Sequence, residues 1–173
     1  MTTDPRPLVG EPLALDLLNT WWDTTGELED LLTDVAGLKI WLDSAGLRVP
    51  ADEATLEATR DARAALAAAR AAEPDLGPLN DVLARGRLKL SVAGTQPRES
   101  AEVPDTAWLP GWLAARNYLE LLKQEPARIR RCANPQCVLH FFDISKNGKR
   151  AWCSMALCGN RAKAARHYSR NRG

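Results

Sequence analysis

The sequence predicts a mainly α-helical fold with small β hairpins, built as a helical N-terminal domain followed by a small C-terminal module. Apolar residues recur at helical spacing through most of residues 1–126, and hydrophobic residues make up 45% of the 173, enough to bury a core. All four cysteines lie beyond residue 131, in a segment too small to bury a core of its own. We therefore expect two domains, at residues 1–126 and 127–173.

The first two predicted helices are short. Residues 13–18 hold four leucines and predict an apolar first helix. A second helix is predicted to begin near Thr33, with Asp34 in its first turn, and to end where Gly46 can form a left-handed cap. Its expected core contacts are Val35, Leu38, Trp41 and Leu42.

The middle of the chain combines helices with one weak hairpin. Residues 51–73 are rich in Ala and Arg and contain no interior Gly or Pro, which predicts a long helix that Pro74 ends. Residues 76–85 predict a shorter helix. Residues 87–92 alternate polar and apolar side chains, as a half-buried strand does, and residues 94–104 are expected to form a loop that returns through a weak second strand.

A long amphipathic helix is predicted at residues 108–123. Pro110 and Gly111 must lie in its first turn or delay its start. Its expected core contacts are Trp112, Leu113, Leu119 and Leu122. Pro126 then marks the passage into the C-terminal module.

The cysteines form two matched C-x4-C pairs separated by fifteen residues: Cys132 with Cys137, and Cys153 with Cys158. Two such pairs supply the closed tetrahedral shell of one structural Zn²⁺ and leave no open position for catalysis. Iron–sulfur ligation and a redox disulfide pair are the alternatives. His140 or His167 could replace one cysteine ligand, although a lone His beside such a site is more often a surface or neighbouring residue.

The order of elements in the module is treble-clef-like. Residues 140–144 are predicted to form a strand, Asn147-Gly148 a type I′ turn, and residues 149–152 the returning strand. The second cysteine pair then opens a helix that continues to residue 168. We therefore predict a treble-clef-like four-cysteine zinc finger, in which the metal contributes much of the folding energy.

The net charge of +1 conceals a strong asymmetry. Residues 1–126 carry 12 Lys and Arg against 21 Asp and Glu, whereas residues 127–173 carry 11 Lys and Arg against the single acid Asp143. An acidic body with a basic tip is typical of polyanion-binding proteins.

The basic residues of the module fall into two groups. Lys163, Arg166 and Arg170 share one face of the last predicted helix and are candidate DNA contacts, the alternative being an ordinary solvated face. A second set flanks the knuckle and hairpin and could clamp phosphates or neutralise the zinc–thiolate centre: Arg130, Arg131, Lys146, Lys149 and Arg150. Arg161 is expected to pack inward, where it would donate to carbonyls or offset thiolate charge, with Asn160 beside it.

In the N-terminal domain, Asp16 and Asn19 are polar residues in an apolar helix. They are expected to bridge neighbouring helices or, with Trp22, to face a ligand pocket. The sequence contains no nucleophile–base pair, phosphate-cradling Gly loop or catalytic carboxylate pair, so we do not expect an enzyme. It also has no apolar stretch near ~20 residues and no signal peptide, which predicts a cytoplasmic protein without a membrane partner.

Two stretches resemble known families. Cys158-Gly159-Asn160-Arg161, following Asn147-Gly148 and Trp152-Cys153-Ser154-Met155, resembles the CGNR zinc finger, although His140 stands where we would expect an apolar or aromatic residue. Residues 13–20, Leu-Ala-Leu-Asp-Leu-Leu-Asn-Thr, resemble the opening signature of the ABATE domain, and the two resemblances together cover nearly the whole chain.

The resemblance implies a bacterial, stress-induced transcription regulator that binds double-stranded DNA. Its N-terminal domain would sense a small-molecule effector or mediate association. Because one small finger reads few base pairs, we expect a homodimer as a route to specificity. The alternative is a zinc-stabilised protein-interaction or RNA-binding module, for which the acidic N-terminal half could be the partner in cis.

Overall fold

The computed structural model describes residues 3–23 and 26–164, and within these ranges the fold is mainly α, as predicted. The five α-helices are α1 (Leu13–Leu18), α2 (Val35–Ser44), α3 (Glu53–Ala69), α4 (Gly77–Ala84) and α5 (Leu109–Gln124). Three antiparallel strand pairs join β1 (Trp21–Asp23) to β2 (Leu28–Asp30), β3 (Arg87–Ala93) to β4 (Gln96–Glu102), and β5 (Ile129–Arg131) to β6 (His140–Phe142). Short 3₁₀ helices span Leu31–Thr33, Thr106–Trp108 and Pro126–Arg128, and a π-helical turn spans Met155–Gly159.

Capping side chains set the start of the early helices. The Asp34 carboxylate accepts a hydrogen bond from Gly37 N at 2.8 Å, so Asp34 is the N-cap of α2. The prediction that Asp34 lies in the first turn of this helix is therefore wrong by one position. Asp52 caps α3 in the same way, through Thr55 N at 2.9 Å. After α2, Gly46 adopts a φ of +68° and reverses the chain, which confirms the predicted stop.

The core face of α5 differs from the prediction. Trp112 is buried, but Leu113 and Leu119 are only half-buried and Leu122 is exposed. The buried face consists instead of Ala114, Ala115, Tyr118 and Leu121. Small residues allow close packing of α5 on α3, and a Cβ at Gly111 would lie 2.5 Å from that of Ala62.

The β3–β4 hairpin is longer and more exposed than predicted. Both strands have seven residues. The strand predicted at residues 87–92 is present, but the expectation that it is half-buried is wrong, because all seven residues of β3 are exposed. The turn contains Gly94 and Thr95, and Gly94 has a φ of +62°. A positive φ at the first turn residue alone fits a type II′ turn, which favours regular pairing of the two flanking strands.

The predicted hairpin of the C-terminal module is wrong in its pairing. The strand at residues 140–142 pairs with β5, which precedes it, and residues 149–152 form no strand. Gly148 has a φ of +62° but Asn147 does not have a positive φ, so the turn is not type I′. The Asp143 carboxylate holds this loop closed, because it accepts hydrogen bonds from the backbone N–H groups of Ser145 and Arg150, both at 2.9 Å.

One hydrophobic core runs through the molecule. Leu15, Leu17 and Leu18 of α1 belong to one cluster of buried residues that also includes the four cysteines and, from the C-terminal module, Ile129, Leu139 and Phe141. Among the helices in residues 3–23 and 26–164, none combines the length and the apolar character that a membrane crossing requires.

Candidate metal centre and basic surface

The four cysteines converge on one point. Their Sγ atoms all lie within 4.8 Å of one another, and all four residues are buried. The Sγ atoms of Cys137 and Cys153 are 3.9 Å apart. Four thiolates at ~2.3 Å from a tetrahedral zinc ion would be ~3.8 Å apart, so these four donors fit one ion.

Local backbone bonds bring each cysteine to this point. Cys132 N donates to Leu139 O at 2.9 Å, which places Cys132 at the end of the β5–β6 pair. Cys137 N donates to Asn134 O at 2.9 Å and so closes the first knuckle. The second pair is joined to the first because Cys153 N donates to the Cys132 Sγ at 3.4 Å.

The second knuckle opens the helix that was predicted from the sequence. The Ser154 hydroxyl accepts from Leu157 N at 3.0 Å and caps the π-helical turn that carries Cys158. The helix continues through residues 160–164, and its predicted remainder to residue 168 lies outside the described residues. Asn134 Nδ2 donates to the Cys158 Sγ at 3.4 Å, which links the knuckles by a side chain.

The thiols hold their protons unequally without a metal ion. The hydrogen bond with Cys153 lowers the pKa of Cys137 to about 5, while that same bond raises the pKa of Cys153. Burial raises the pKa of Cys132. Crowded thiols therefore cannot all ionise unless a cation offsets their charge, which is the situation that a divalent metal relieves.

His140 is not one of the four grouped donors. Burial, with the charges of Arg70 and Arg131, lowers the pKa of His140 to about 4, so its ring is neutral at neutral pH. Its Nδ1 atom is buried without a hydrogen-bond partner among the described residues. His167 lies outside the described residues.

The only acid of residues 127–173 is withdrawn from the surface. Asp143 is fully buried and accepts four hydrogen bonds, from Ser145 N, Ser145 Oγ, Arg150 N and, through its backbone oxygen, Arg128. Burial alone would raise the pKa of Asp143, but the bonds from Ser145 and Arg150 lower it overall. The carboxylate therefore stays charged inside the module and leaves the surface to the cations.

Several arginines hold the backbone of the module together. Arg128 donates to Asp143 O at 2.7 Å and to Ser145 O at 2.9 Å. Arg130 donates to Arg150 O at 3.4 Å. Arg150 donates to the carbonyl of Trp152 at 3.0 Å and to that of Cys153, and its guanidinium lies 4.2 Å from the centre of the Phe141 ring. Sequence reasoning grouped Arg130 and Arg150 with the lysines and did not single out Arg128.

The lysines are arranged differently. Lys146, Lys149 and Lys163 are exposed, and their ammonium groups make no ion pair or hydrogen bond within residues 3–23 and 26–164. Arg131 is also exposed and makes one bond, from Nε to Cys137 O at 3.3 Å. Arg166 and Arg170, which the sequence places on the same helix face as Lys163, lie outside the described residues.

Arg161 and Asn160 are both exposed. The expectation that Arg161 packs inward is therefore wrong. Arg161 nevertheless lines a polar cavity of about 430 Å³ beside Cys137 and Cys158, where its charge can offset that of the thiolates.

The three residues that were candidates for a ligand pocket are buried. Asp16 accepts from Arg6 Nη1 at 2.8 Å and from the indole of Trp41 at 3.0 Å. Asn19 is fully buried and Trp22 is only 4% exposed. The polar groups of Asp16 and Asn19 bridge neighbouring elements, which was one of the two expectations, and a ligand there stays a prediction.

The N-terminal region also closes the outer edge of β6. Asn19 Oδ1 accepts from His140 N at 2.8 Å, and Asn19 Nδ2 donates to His140 O at 2.9 Å. The Glu11 carboxylate accepts from Phe142 N at 3.0 Å and from Arg150 Nη2 at 3.2 Å. Two side chains thus act as a third strand, and nothing in the sequence near Glu11 signals this contact, because its partners lie 131 and 139 positions away.

Two family models match consecutive parts of the chain. The family model for the CGNR zinc finger matches residues 128–171. The ABATE family model, described as "Putative stress-induced transcription regulator", matches residues 11–125. No curated protein matches the chain.

Proposed function

The chain belongs to the ABATE family, and from this membership we propose that it is a transcription regulator whose CGNR zinc finger binds double-stranded DNA. The four cysteines lie together in a site able to hold one metal ion within that finger. A structural zinc ion there would hold the knuckles together, and all four coordination positions would be filled by protein.

One observation carries the proposal. Among the described charged side chains of the finger, only cations are exposed: Asp143, its single acid, is buried, while Lys146, Lys149 and Lys163 are exposed and unpaired. Such a surface favours a polyanion, whose bound counterions are released as phosphates are neutralised.

We divide the basic residues by what already holds them. Arg130 and Arg150 make backbone contacts within the finger, so their main part is to organise it. Lys146, Lys149 and Lys163, with the exposed Arg131, are the proposed phosphate contacts, and Arg166 and Arg170 remain predicted contacts by their position in the sequence. Phosphate contacts position a protein on the duplex without reading its sequence.

RNA recognition finds less support in the aromatic residues of the finger. Single-stranded RNA is commonly read by bases stacked on exposed aromatic rings. Phe141 is fully buried and lies against Arg150, and Phe142 and Trp152 are half-buried against the core. We therefore propose duplex DNA as the partner and treat RNA as an outcome of the test.

The test is the salt dependence of binding to duplex DNA by the zinc-loaded full chain. Fragmented genomic DNA, excess non-specific competitor and a series of salt concentrations would be used. The triple variant Lys146→Gln/Lys149→Gln/Lys163→Gln should weaken binding and reduce the slope of log K against log salt by about 3, at ~0.9 for each lost phosphate contact.

The matched control is Lys39→Gln, which removes an exposed lysine outside the finger. It should leave affinity and slope unchanged. Equal loss in the control, or unchanged binding in the triple variant, would contradict the assignment of these lysines. Tighter binding to single-stranded RNA than to duplex DNA would replace the proposed partner.

A further inference from the structure

The outer edge of β3 is covered by no strand among the described residues. Within the part of the chain that the structure describes, β3 pairs with β4 and with no other strand. All seven of its residues are exposed, and Leu90 and Val92 are 72% and 73% exposed. A long exposed strand edge is a ready template for pairing with another chain, and most proteins block such edges.

The register shows which backbone groups are free. Ala93 and Gln96 flank the two-residue turn, so they form the hydrogen-bonded pair that closes the hairpin. Hydrogen-bonded and non-hydrogen-bonded pairs then alternate along the ladder. The backbone N–H and C=O groups of Leu88, Leu90 and Val92 therefore point away from β4, along the open edge.

The β4 edge lacks this capacity. Pro97, opposite Val92, has no N–H to donate. Glu99, opposite Leu90, is held to Arg116 by an ion pair of 2.8 Å. The hairpin thus has one edge that is blocked and one that is free.

We propose that a second copy of this chain pairs with β3 in antiparallel fashion, about a two-fold axis at Leu90. In this register Leu90 lies opposite Leu90 of the second copy, and Leu88 lies opposite Val92 of the second copy. These are the residues whose backbone groups are free, so three residues on each strand exchange hydrogen bonds. A two-fold arrangement uses the same surface on both copies and closes at the dimer.

Charge also favours this pairing over the other edge. Lys89 faces Ser91 of the second copy and Arg87 faces Ala93, so no like charges lie directly opposite, and both cations already contact Glu102 of their own hairpin. A β4–β4 pairing centred on Glu99 would instead place two carboxylates opposite each other. The β3 edge is therefore self-complementary and the β4 edge is not.

The side chains add an apolar strip to the backbone bonds. Leu88, Leu90 and Val92 alternate along β3 and so point to one face of the hairpin. Two copies would join these into six apolar side chains across the axis. This reduces the exposure of Leu90 and Val92, whose position on a solvated hairpin is otherwise unexplained. The inference does not rest on DNA binding.

The first test measures the mass of the full zinc-loaded chain in solution by sedimentation over a range of concentrations. Wild type should show a species of twice the 19.0 kDa chain mass, and Leu90→Lys should shift it to the mass of one chain, because two lysines would face each other on the axis. Gln96→Lys adds the same charge on β4 and should stay dimeric. A monomeric wild type, a dimeric Leu90→Lys, or a monomeric Gln96→Lys would overturn the proposal.

The second test fixes the register. Leu90→Cys should form an intermolecular disulfide under mild oxidation, because residues directly opposite in a hydrogen-bonded pair have Cα atoms ~5.5 Å apart. Val92→Cys lies on the same face but would be ~13 Å from its own copy, at ~3.3 Å per residue over four residues. Equal cross-linking of the two variants, or cross-linking of Val92→Cys alone, would overturn the proposed axis. Unchanged zinc content confirms that the finger is folded in each variant.

Discussion

The edges of β6 and β3 show two fates of an unpaired strand in one molecule. Each belongs to a two-stranded antiparallel pair. The β6 edge is closed by Asn19 and Glu11, whereas the β3 edge meets no other strand in the described part of the chain. The backbone N–H and C=O groups of a buried strand edge need hydrogen-bond partners from the same chain. The same groups of a strand edge in solvent can bond to water and stay available to another chain.

The two edges also differ in how much free energy of unfolding depends on the hydrogen bonds of their backbone groups. Next to α1 and the core, an unsatisfied N–H or C=O group of β6 loses its protein partner with little compensation from water, at about 1–3 kcal/mol for each buried group. On β3 the same groups are already solvated. Changes at β6 should therefore alter stability, and changes at β3 should alter association.

The largest expected effect comes from removing a cysteine. Cys153→Ser should abolish zinc binding and unfold the finger, because structural zinc contributes about 10–16 kcal/mol of apparent binding free energy to such modules. Zinc per chain would be measured by elemental analysis, and local order by hydrogen exchange of the β5 and β6 amides. The β3–β4 amides serve as the internal control and should keep their exchange rates. Retention of one zinc per chain would contradict the assignment of Cys153.

A smaller effect is expected when the β6 edge is opened. Asn19→Ala removes both hydrogen bonds to His140 and should lower the free energy of unfolding by about 2–6 kcal/mol, at about 1–3 kcal/mol for each of the two groups, measured by denaturant titration. Ser91→Ala, on the exposed β3 strand, should change it by less than about 0.5 kcal/mol. Equal changes in the two variants would remove the distinction between the edges.

The smallest expected effect at mildly acidic pH is a pH dependence at β6, which reaches about 1.4 kcal/mol near pH 5.5. Burial lowers the pKa of His140 to about 4, below its unfolded value of about 6.5, so only the unfolded state takes up the proton between these limits. This contribution to stability is fully present above pH of about 6.5. It should be lost at up to about 1.4 kcal/mol per pH unit as the pH falls towards 4.

His140→Phe removes the titrating group and keeps an aromatic ring on β6. Its free energy of unfolding should depend less on pH than that of wild type, with zinc content followed at each pH so that metal loss is not mistaken for histidine protonation. Parallel pH profiles in the two proteins would show that His140 is not held away from water. Ser91→Ala should follow the wild-type profile.

Two predictions that depend only on neighbouring residues were confirmed, and a third was wrong. The two C-x4-C pairs predicted a single cluster of four thiols, and the described Sγ atoms lie together. Gly46 ends α2 as expected, because its left-handed conformation depends on one residue. The Asn147-Gly148 turn was misread, because the Asp143 carboxylate organises that loop from outside the dipeptide.

Contacts between distant segments could not be read in the same way. The apolar spacing of α5 allows more than one face, and its packing on α3 selected the face with Ala114 and Ala115. The alternation in β3 predicted a strand but gave no information on whether another element covers it. In the finger, the spacing identified basic residues without separating the arginines that hold carbonyls from the lysines that face solvent.

The sequence by itself determined the mainly helical class, the four-cysteine centre and the division between an acidic body and a basic finger. Each follows from residue types and spacings that act over a few positions or from composition alone. Only the tertiary structure decided that Asn19 and Glu11 close β6, that Asp143 is buried, and that no described strand covers the outer edge of β3. These three features depend on which segments meet in space, because each needs a partner that is distant in the sequence. The spacing of neighbouring residues does not identify that partner.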